Sequence, residues 1–162
     1  MELVILMGLQ AAGKSTFARE HFGVSHDYVS KDRMGSARNK EQRQQRLVAA
    51  ALAAGRSVVV DNTNPSPAER EALIRIGHDY GARVIGYFFA PDIAASRARN
   101  AVRTGREHVP VVAIYATAKR LTPPTYAEGF DALFTVRIAP GGGFEVAPCY
   151  DCPRRRPRTL PS

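Results

Sequence analysis

No apolar run in the sequence comes near the ~20 residues needed to cross a bilayer as a helix, which excludes a membrane-spanning helix of ordinary length. The first apolar stretch is short and carries Glu2 where a signal peptide has basic residues. It leads directly into a glycine-containing loop, so the expected location is the cytoplasm, with no membrane partner. Cysteine is scarce: Cys149 and Cys152 form a single C-x-x-C. One such pair is half a zinc site, no second pair exists, and the intervening Tyr150 and Asp151 do not fit a thioredoxin-type centre. The reading is a reduced pair near a flexible end, with zinc shared between molecules, or oxidation, as alternatives. Acidic residues are also short, 15 against 23 Lys and Arg, for a net charge of +8 and a pI of about 10.0. That excess favours a polyanionic partner, because clustered cations release counterions from phosphate backbones; a generally basic, arginine-rich proteome would produce the same balance. The basic residues form three clusters: Lys31 to Arg46, Arg97 to Arg106, and Arg154 to Arg158. There is no internal repeat. What is present is 44% hydrophobic content over 162 residues, enough for one soluble domain with a real core.

The stretch around which the chain is organised is Gly8-Leu9-Gln10-Ala11-Ala12-Gly13-Lys14-Ser15, followed by Thr16. It fills every fixed position of G-x-x-x-x-G-K-[ST]. An apolar strand (Leu3 to Leu6) precedes it, and a helical pattern (Phe17, Ala18, Phe22) follows. Glycines let successive backbone N–H groups converge on phosphate oxygens, and the helix start adds the positive end of its dipole. Gly8, Ala11, Ala12, Gly13 and Thr16 belong to this nucleotide-binding loop. Lys14 is expected to reach the β- and γ-phosphates, and the Ser15 hydroxyl to ligate Mg²⁺.

Beyond the loop, strands and helices alternate. Strands are expected at 26–30, 57–60, 83–90 and 133–138, and helices at 36–54, 66–80, 92–102 and from 109 to the Pro123-Pro124 break. The β-branched Val58-Val59-Val60 suits a strand buried on both faces of a parallel sheet. Ser66, Pro67 and Glu69 form a helix-start signature. In the helix from 109, Val112, Ile114, Tyr115 and Leu121 mark the expected apolar side. Gly141-Gly142-Gly143 then Phe144-Glu145-Val146 suits a small hairpin, and Pro153 to Ser162 is an Arg- and Pro-rich tail read as disordered. This alternation implies a parallel sheet covered on both faces, with ligands at the carboxyl ends of its strands. Every motif falls at such an end.

Phosphoryl transfer needs a triphosphate cradle, Mg²⁺, an orienter for the acceptor and positive charge over the transferring group. Asp32 can accept an acceptor hydroxyl proton; its other reading is a helix-start or salt-bridge carboxylate between Lys31 and Arg33. Asp61 ends a hydrophobic strand as a Walker-B-type carboxylate does. It can hold Mg²⁺ through water or fix an arginine, or it can simply form an Asx turn before Asn62. Arg103 and Arg106 lie where a lid would be, able to neutralise charge on the transferring group or to be solvated surface arginines. His108 has no identifiable partner in the sequence, and Phe88 and Phe89 read as core.

These stretches resemble the 5′-kinase domain of polynucleotide kinases. The likeness is carried by Gly8 to Thr16, Asp32-Arg33-Met34-Gly35-Ser36, Asp61-Asn62-Thr63-Asn64-Pro65, the Arg99 to Pro110 lid region, and Pro124-Thr125-Tyr126-Ala127-Glu128-Gly129-Phe130. It covers about residues 1–138 and ends there. The resemblance implies a P-loop NTPase fold: a parallel five-stranded sheet in the order 2-3-1-4-5, helices on both faces, and a small helical lid at about 99–110. The kinase domain would then be 1–139 and the C-terminal extension 140–162. It implies Asp32 as general base toward a 5′-hydroxyl and Arg103 as the lid arginine on the β- and γ-phosphates, with Arg99 and Arg106 also toward the nucleotide. It implies Lys14 and Asp61 as further catalytic residues, Ser15 and Asp61 at the metal, and Arg33, Arg38, Asn62 and Asn64 on the acceptor side. Pro124 to Phe130 would lie near the nucleotide base. The chain departs from the phage pattern at Gly35, where an arginine helps hold the acceptor phosphate. It also lacks the D-x-D-x-[TV] phosphatase signature, so no 3′-phosphatase activity is expected.

The leading expectation is therefore an ATP- and Mg²⁺-dependent kinase acting on the 5′-hydroxyl of DNA or RNA ends. The alternatives are a small-molecule kinase taking a nucleoside, sugar or antibiotic hydroxyl, and a nucleotide-binding switch without a transfer acceptor. In a further variant the Arg-rich tail is the nucleic-acid contact. Oligomeric state is not legible.

Overall fold

The computed structural model of the chain describes residues 1–149. Cys152 and the Arg- and Pro-rich tail lie outside them. In chain order the elements are β1 (Glu2–Met7), α1 (Lys14–Phe22), β2 (Asp27–Val29), α2 (Lys40–Ala53), β3 (Val58–Asp61) and α3 (Pro67–Asp79). There follow β4 (Arg83–Phe89), α4 (Ile93–Ala101), α5 (Val111–Arg120), β5 (Ala132–Ile138) and β6 (Phe144–Pro148). Short 3₁₀ turns occupy Lys31–Met34, Gly105–Glu107 and Tyr126–Glu128. Among the described residues no helix is long and apolar enough to cross a membrane.

One sheet runs β2-β3-β1-β4-β5-β6. The first five strands are parallel in the expected order. The sixth is added: the expected hairpin after Ile138 returns as β6, antiparallel to β5, with Val136 opposite Val146. Side-chain alternation along β1 builds the two cores. Leu3, Ile5 and Met7 face Val48, Leu52, Leu73 and Ile74 of α2 and α3. Val4 and Leu6 face Phe17 and Phe22 of α1, together with Phe89 and Val136. β3 is buried at all four positions, as its β-branched run requires.

Three patterns differ from expectation. α2 starts at Lys40 rather than 36, after Asn39 in the left-handed region (φ 56°). Its buried stripe is Gln44, Val48, Ala51 and Leu52, while Leu47 is 45% exposed; at about 100° per residue Leu47 falls off the stripe that Gln44 occupies. On α5, Ile114 is buried but Val112 is 74% exposed and Tyr115 42%, so its apolar side is only partly covered. The expectation of a reduced cysteine pair does not hold at Cys149, which is disulfide-bonded. The signature at Ser66, by contrast, holds in full: Ser66 and Glu69 form a capping box with Pro67 at the first helical position.

Candidate active site

The loop after β1 is shaped by close approach and by left-handed backbone. A Cβ at Gly8 would stand 2.8 Å from the Cβ of Phe89, so only glycine fits there. Gly8 N–H donates to the Thr63 carbonyl at 3.0 Å, which ties the loop to the end of β3. Ala11 (φ 55°) and Gly13 (φ 92°) turn the backbone ahead of α1. The loop is also braced from α4 and α5. Arg99 Nη1 donates to the Ala11 carbonyl at 3.0 Å, and Gln10 Nε2 to Thr117 Oγ1 of α5 at 2.9 Å.

Lys14 is 7% exposed, and its Nζ donates to the carbonyls of Gly8 (3.0 Å) and Leu9 (2.6 Å). Burial lowers its ammonium from 10.5 to about 8; the charges of Asp61 and Asp32 act upward and that of Arg103 downward. Two carboxylates and one arginine therefore share the field around Lys14. Of the three arginines expected toward the nucleotide, Arg99 touches the loop and Arg103 acts on it through its charge, while Arg106 makes no side-chain hydrogen bond or ion pair among the described residues. Between pH 8 and 10.5 the folded chain binds fewer protons at Lys14 than the unfolded chain does. Stability at this site is thus lowest below pH 8 and rises as pH increases through that window. Lys14→Met is expected to remove the rise, measured by urea unfolding at about pH 8 and about pH 10.

Asp61 ends β3 at 4% exposure. Its Oδ2 accepts from Ser15 Oγ and from Tyr28 Oη, both at 2.6 Å. The Asx-turn reading is therefore unnecessary: the carboxylate faces the loop. Tyr28 does not stand out in the sequence, since one tyrosine in a three-residue strand carries no pattern. Burial, then its bond to Asp61, pushes its hydroxyl up to about 12, and the Arg33 guanidinium lies 4.2 Å above its ring. Tyr28→Phe removes one of two donors to a buried carboxylate and is expected to cost about 1–2 kcal/mol in urea unfolding. A hydroxyl and a carboxylate oxygen are hard ligands suited to Mg²⁺, which takes one or two protein oxygens and fills its remaining positions with water and phosphate. Ser15 and Asp61 would hold it, and no cluster of three His, Cys, Asp or Glu offers another metal site among the described residues.

Asp32 lies in the 3₁₀ turn after β2, and its backbone N–H donates to Ser30 Oγ at 3.3 Å. The carboxylate itself is exposed and has no hydrogen-bond or ion-pair partner among the described residues. Both flanking cations are engaged elsewhere: Lys31 pairs with Glu41, and Arg33 covers Tyr28. The salt-bridge reading of Asp32 is thereby removed. Arg38 is exposed. The two asparagines expected on the acceptor side are committed to the protein. Asn62 accepts from Lys31 N–H at 2.9 Å and donates to Gln44. Asn64 is 4% exposed, with φ 41°, and donates to the Leu6 carbonyl at 2.7 Å. Both side chains shape the β3 loop.

Arg70 is the second group that the sequence does not flag. It is fully buried, and its guanidinium meets Glu128 through two 3.0 Å bonds. Its other donors reach the carbonyls of Asn64 (3.0 Å), Pro65 (2.9 Å) and Thr122. One side chain thus joins the D-N-T-N-P segment to the segment carrying Glu128. A signal exists: Arg70 shares helical spacing with the buried Leu73, Ile74 and Gly77, and a charge inside a core stripe needs a partner. The Pro124 to Phe130 segment is accordingly turned toward α3, with His78 bonded to the Gly129 carbonyl and Phe130 in the core. The cleft beside the loop lies elsewhere. It is about 670 Å³, at the ends of β4 and β5, and is lined by Ala12, Pro91, Ser96, Arg99, Arg137 and Ile138. The turn after α4 is closed by Asn100, 1% exposed, which exchanges two bonds with Val109 and whose carbonyl contacts His108 at 2.9 Å.

A family described as AAA domain matches residues 3–124. The bifunctional polynucleotide phosphatase/kinase of Schizosaccharomyces pombe is 26% identical over 133 residues, covering 80% of this chain. The chain spans only about a third of the length of that relative (32%). Among solved structures, a gluconokinase from Sinorhizobium meliloti 1021 superposes with TM-score 0.61 at 15% identity, covering 85% of this chain and 83% of its own. A fungal RNA kinase superposes with TM-score 0.64 at 14% identity, covering 85% and 76%. The fold is that of the P-loop kinases.

Proposed function

Because the chain belongs to the AAA domain family and has a P-loop kinase fold, we propose that it is an ATP- and Mg²⁺-dependent kinase that phosphorylates the 5′-hydroxyl of DNA or RNA ends. The observation that carries the reading is Asp32. Its carboxylate is unpaired among the described residues, exposed at the carboxyl end of β2, and close enough to the loop for its charge to act on Lys14. A nucleotide switch has no use for such a group; an acceptor hydroxyl does.

In this mechanism Asp32 accepts the proton of the acceptor hydroxyl as that oxygen bonds to the γ-phosphorus. The bond from the γ-phosphorus to the bridging oxygen breaks, and ADP leaves with the electron pair. Lys14 and Arg103 bring positive charge to the phosphate oxygens, and the backbone N–H groups ahead of α1 orient them. Arg99 keeps the loop in register through Ala11. Mg²⁺, which Ser15 and Asp61 would hold, would offset negative charge on the phosphates when bound. The polynucleotide character of the acceptor is supported by the resemblance to polynucleotide kinase and by the cations around Asp32.

A second reading, a small-molecule kinase, is favoured by the superposition on gluconokinase. The deciding experiment is transfer of labelled γ-phosphate from ATP to a 5′-hydroxyl oligonucleotide and to its 5′-phosphorylated twin, with gluconate and nucleosides in parallel. Label on the 5′-hydroxyl strand alone supports the end-kinase reading. Label only on a small acceptor replaces it with the second.

A further inference from the structure

Charge on the acceptor side of the molecule is strongly unbalanced. From Lys31 to Arg46 there are six cations and two acids, Asp32 and Glu41. Glu41 is taken by Lys31. Arg38, Arg43 and Arg46 are exposed and have no acidic partner among the described residues. Topology gives these cations a direction. β2 ends at the carboxyl edge of the sheet, beside Asp32, and β3 starts at the amino edge, so α2 runs away from Asp32 between them. Arg43 and Arg46 stand one turn apart, about 4.5 Å along the axis.

A groove continues the same line. It has a volume of about 330 Å³ and lies between α2 and α3, bounded by Gln42, Gln45, Arg46, Ala49 and Ile76. Aliphatic side chains can cover a base face there, and two carboxamides can reach its edge. Arg46 borders both the groove and the row of cations.

We propose that this face carries the acceptor strand. The single strand continuing from the 5′ end at Asp32 runs past Arg38 along α2, with successive phosphates on Arg43 and Arg46 and one base in the groove beside Ile76. The proposal rests on the end-kinase reading and adds to it the path of the strand. A strongly cationic helix face suits a polyanion, and one-turn spacing suits consecutive phosphates reached by long side chains.

The test uses the full chain, 5′-hydroxyl DNA oligonucleotides of two to sixteen nucleotides, and the variants R43E/R46E and R19E/R83E. Arg19 and Arg83 are exposed; Arg19 lies on the opposite sheet face and Arg83 at the amino edge. The second variant therefore changes net charge equally, away from the groove. For the wild type, KM should fall with length over the first several nucleotides. R43E/R46E should raise KM for the sixteen-mer about tenfold while raising it far less for the dinucleotide. The slope of log KM against log salt should shrink by about 1.4, two single-strand phosphates' worth. The charge-matched control should keep the wild-type length dependence. If both variants behave alike, or if R43E/R46E affects dinucleotide and sixteen-mer equally, the path is wrong although the enzyme is an end kinase. If the wild type labels no oligonucleotide of any length, the end-kinase reading falls and takes the path with it.

Discussion

Replacement of Asp32 by asparagine is expected to lower kcat by about 10²- to 10⁴-fold, the range for loss of a general base. The side chain keeps its size, and its carboxylate makes no bond in the structure that the variant would break. The fold should therefore survive, so that urea unfolding distinguishes lost chemistry from lost structure. ATP affinity should change far less than kcat does. A change in ATP affinity of the same size as the change in kcat would instead mean that Asp32 acts through Lys14, whose charge it stabilises.

Arg70→Met is expected to cost about 3–5 kcal/mol, because it leaves Glu128 largely buried and unpaired. At this chain length the melting temperature should drop by about 6–20 °C. Burial works against the charge on Arg70, and Glu128 offsets that penalty. Removing both charges in R70M/E128Q should therefore recover part of the loss, which a double-mutant cycle would measure as a coupling. The single variant should also loosen the carboxyl edge, since Arg70 holds the carbonyls of Asn64, Pro65 and Thr122. Full stability in the single variant would mean that water or another cation satisfies Glu128.

Both groups stand in segments visible in the sequence, yet only Asp32 is singled out there as a candidate. Asp32 stands out because it follows a strand, and strand ends of a parallel sheet face ligands whatever the details of packing. Arg70 and Glu128 are 58 residues apart. Nothing local to either shows that they meet. The same holds for Tyr28 and Asp61, joined across 33 residues, and for Gln10 and Thr117, joined across 107.

The sequence by itself determined the phosphate loop and the alternation of strands and helices, hence a parallel sheet, while the order of its first five strands came from the family resemblance. The loop and the alternation follow from short-range causes: glycine conformations, hydrophobic period and helix-start residues. Tertiary structure alone decided which side chains remain available. It took Lys31 and Arg33 away from Asp32, buried Asn64 under the loop, and brought Ser15 and Tyr28 to one carboxylate oxygen of Asp61. It also returned the chain after Ile138 as β6, which sets Phe144 against Gly13 (3.2 Å from a Cβ placed there). Hydrogen bonds and ion pairs between distant segments depend on side-chain reach in three dimensions, and no periodicity along the chain encodes that reach.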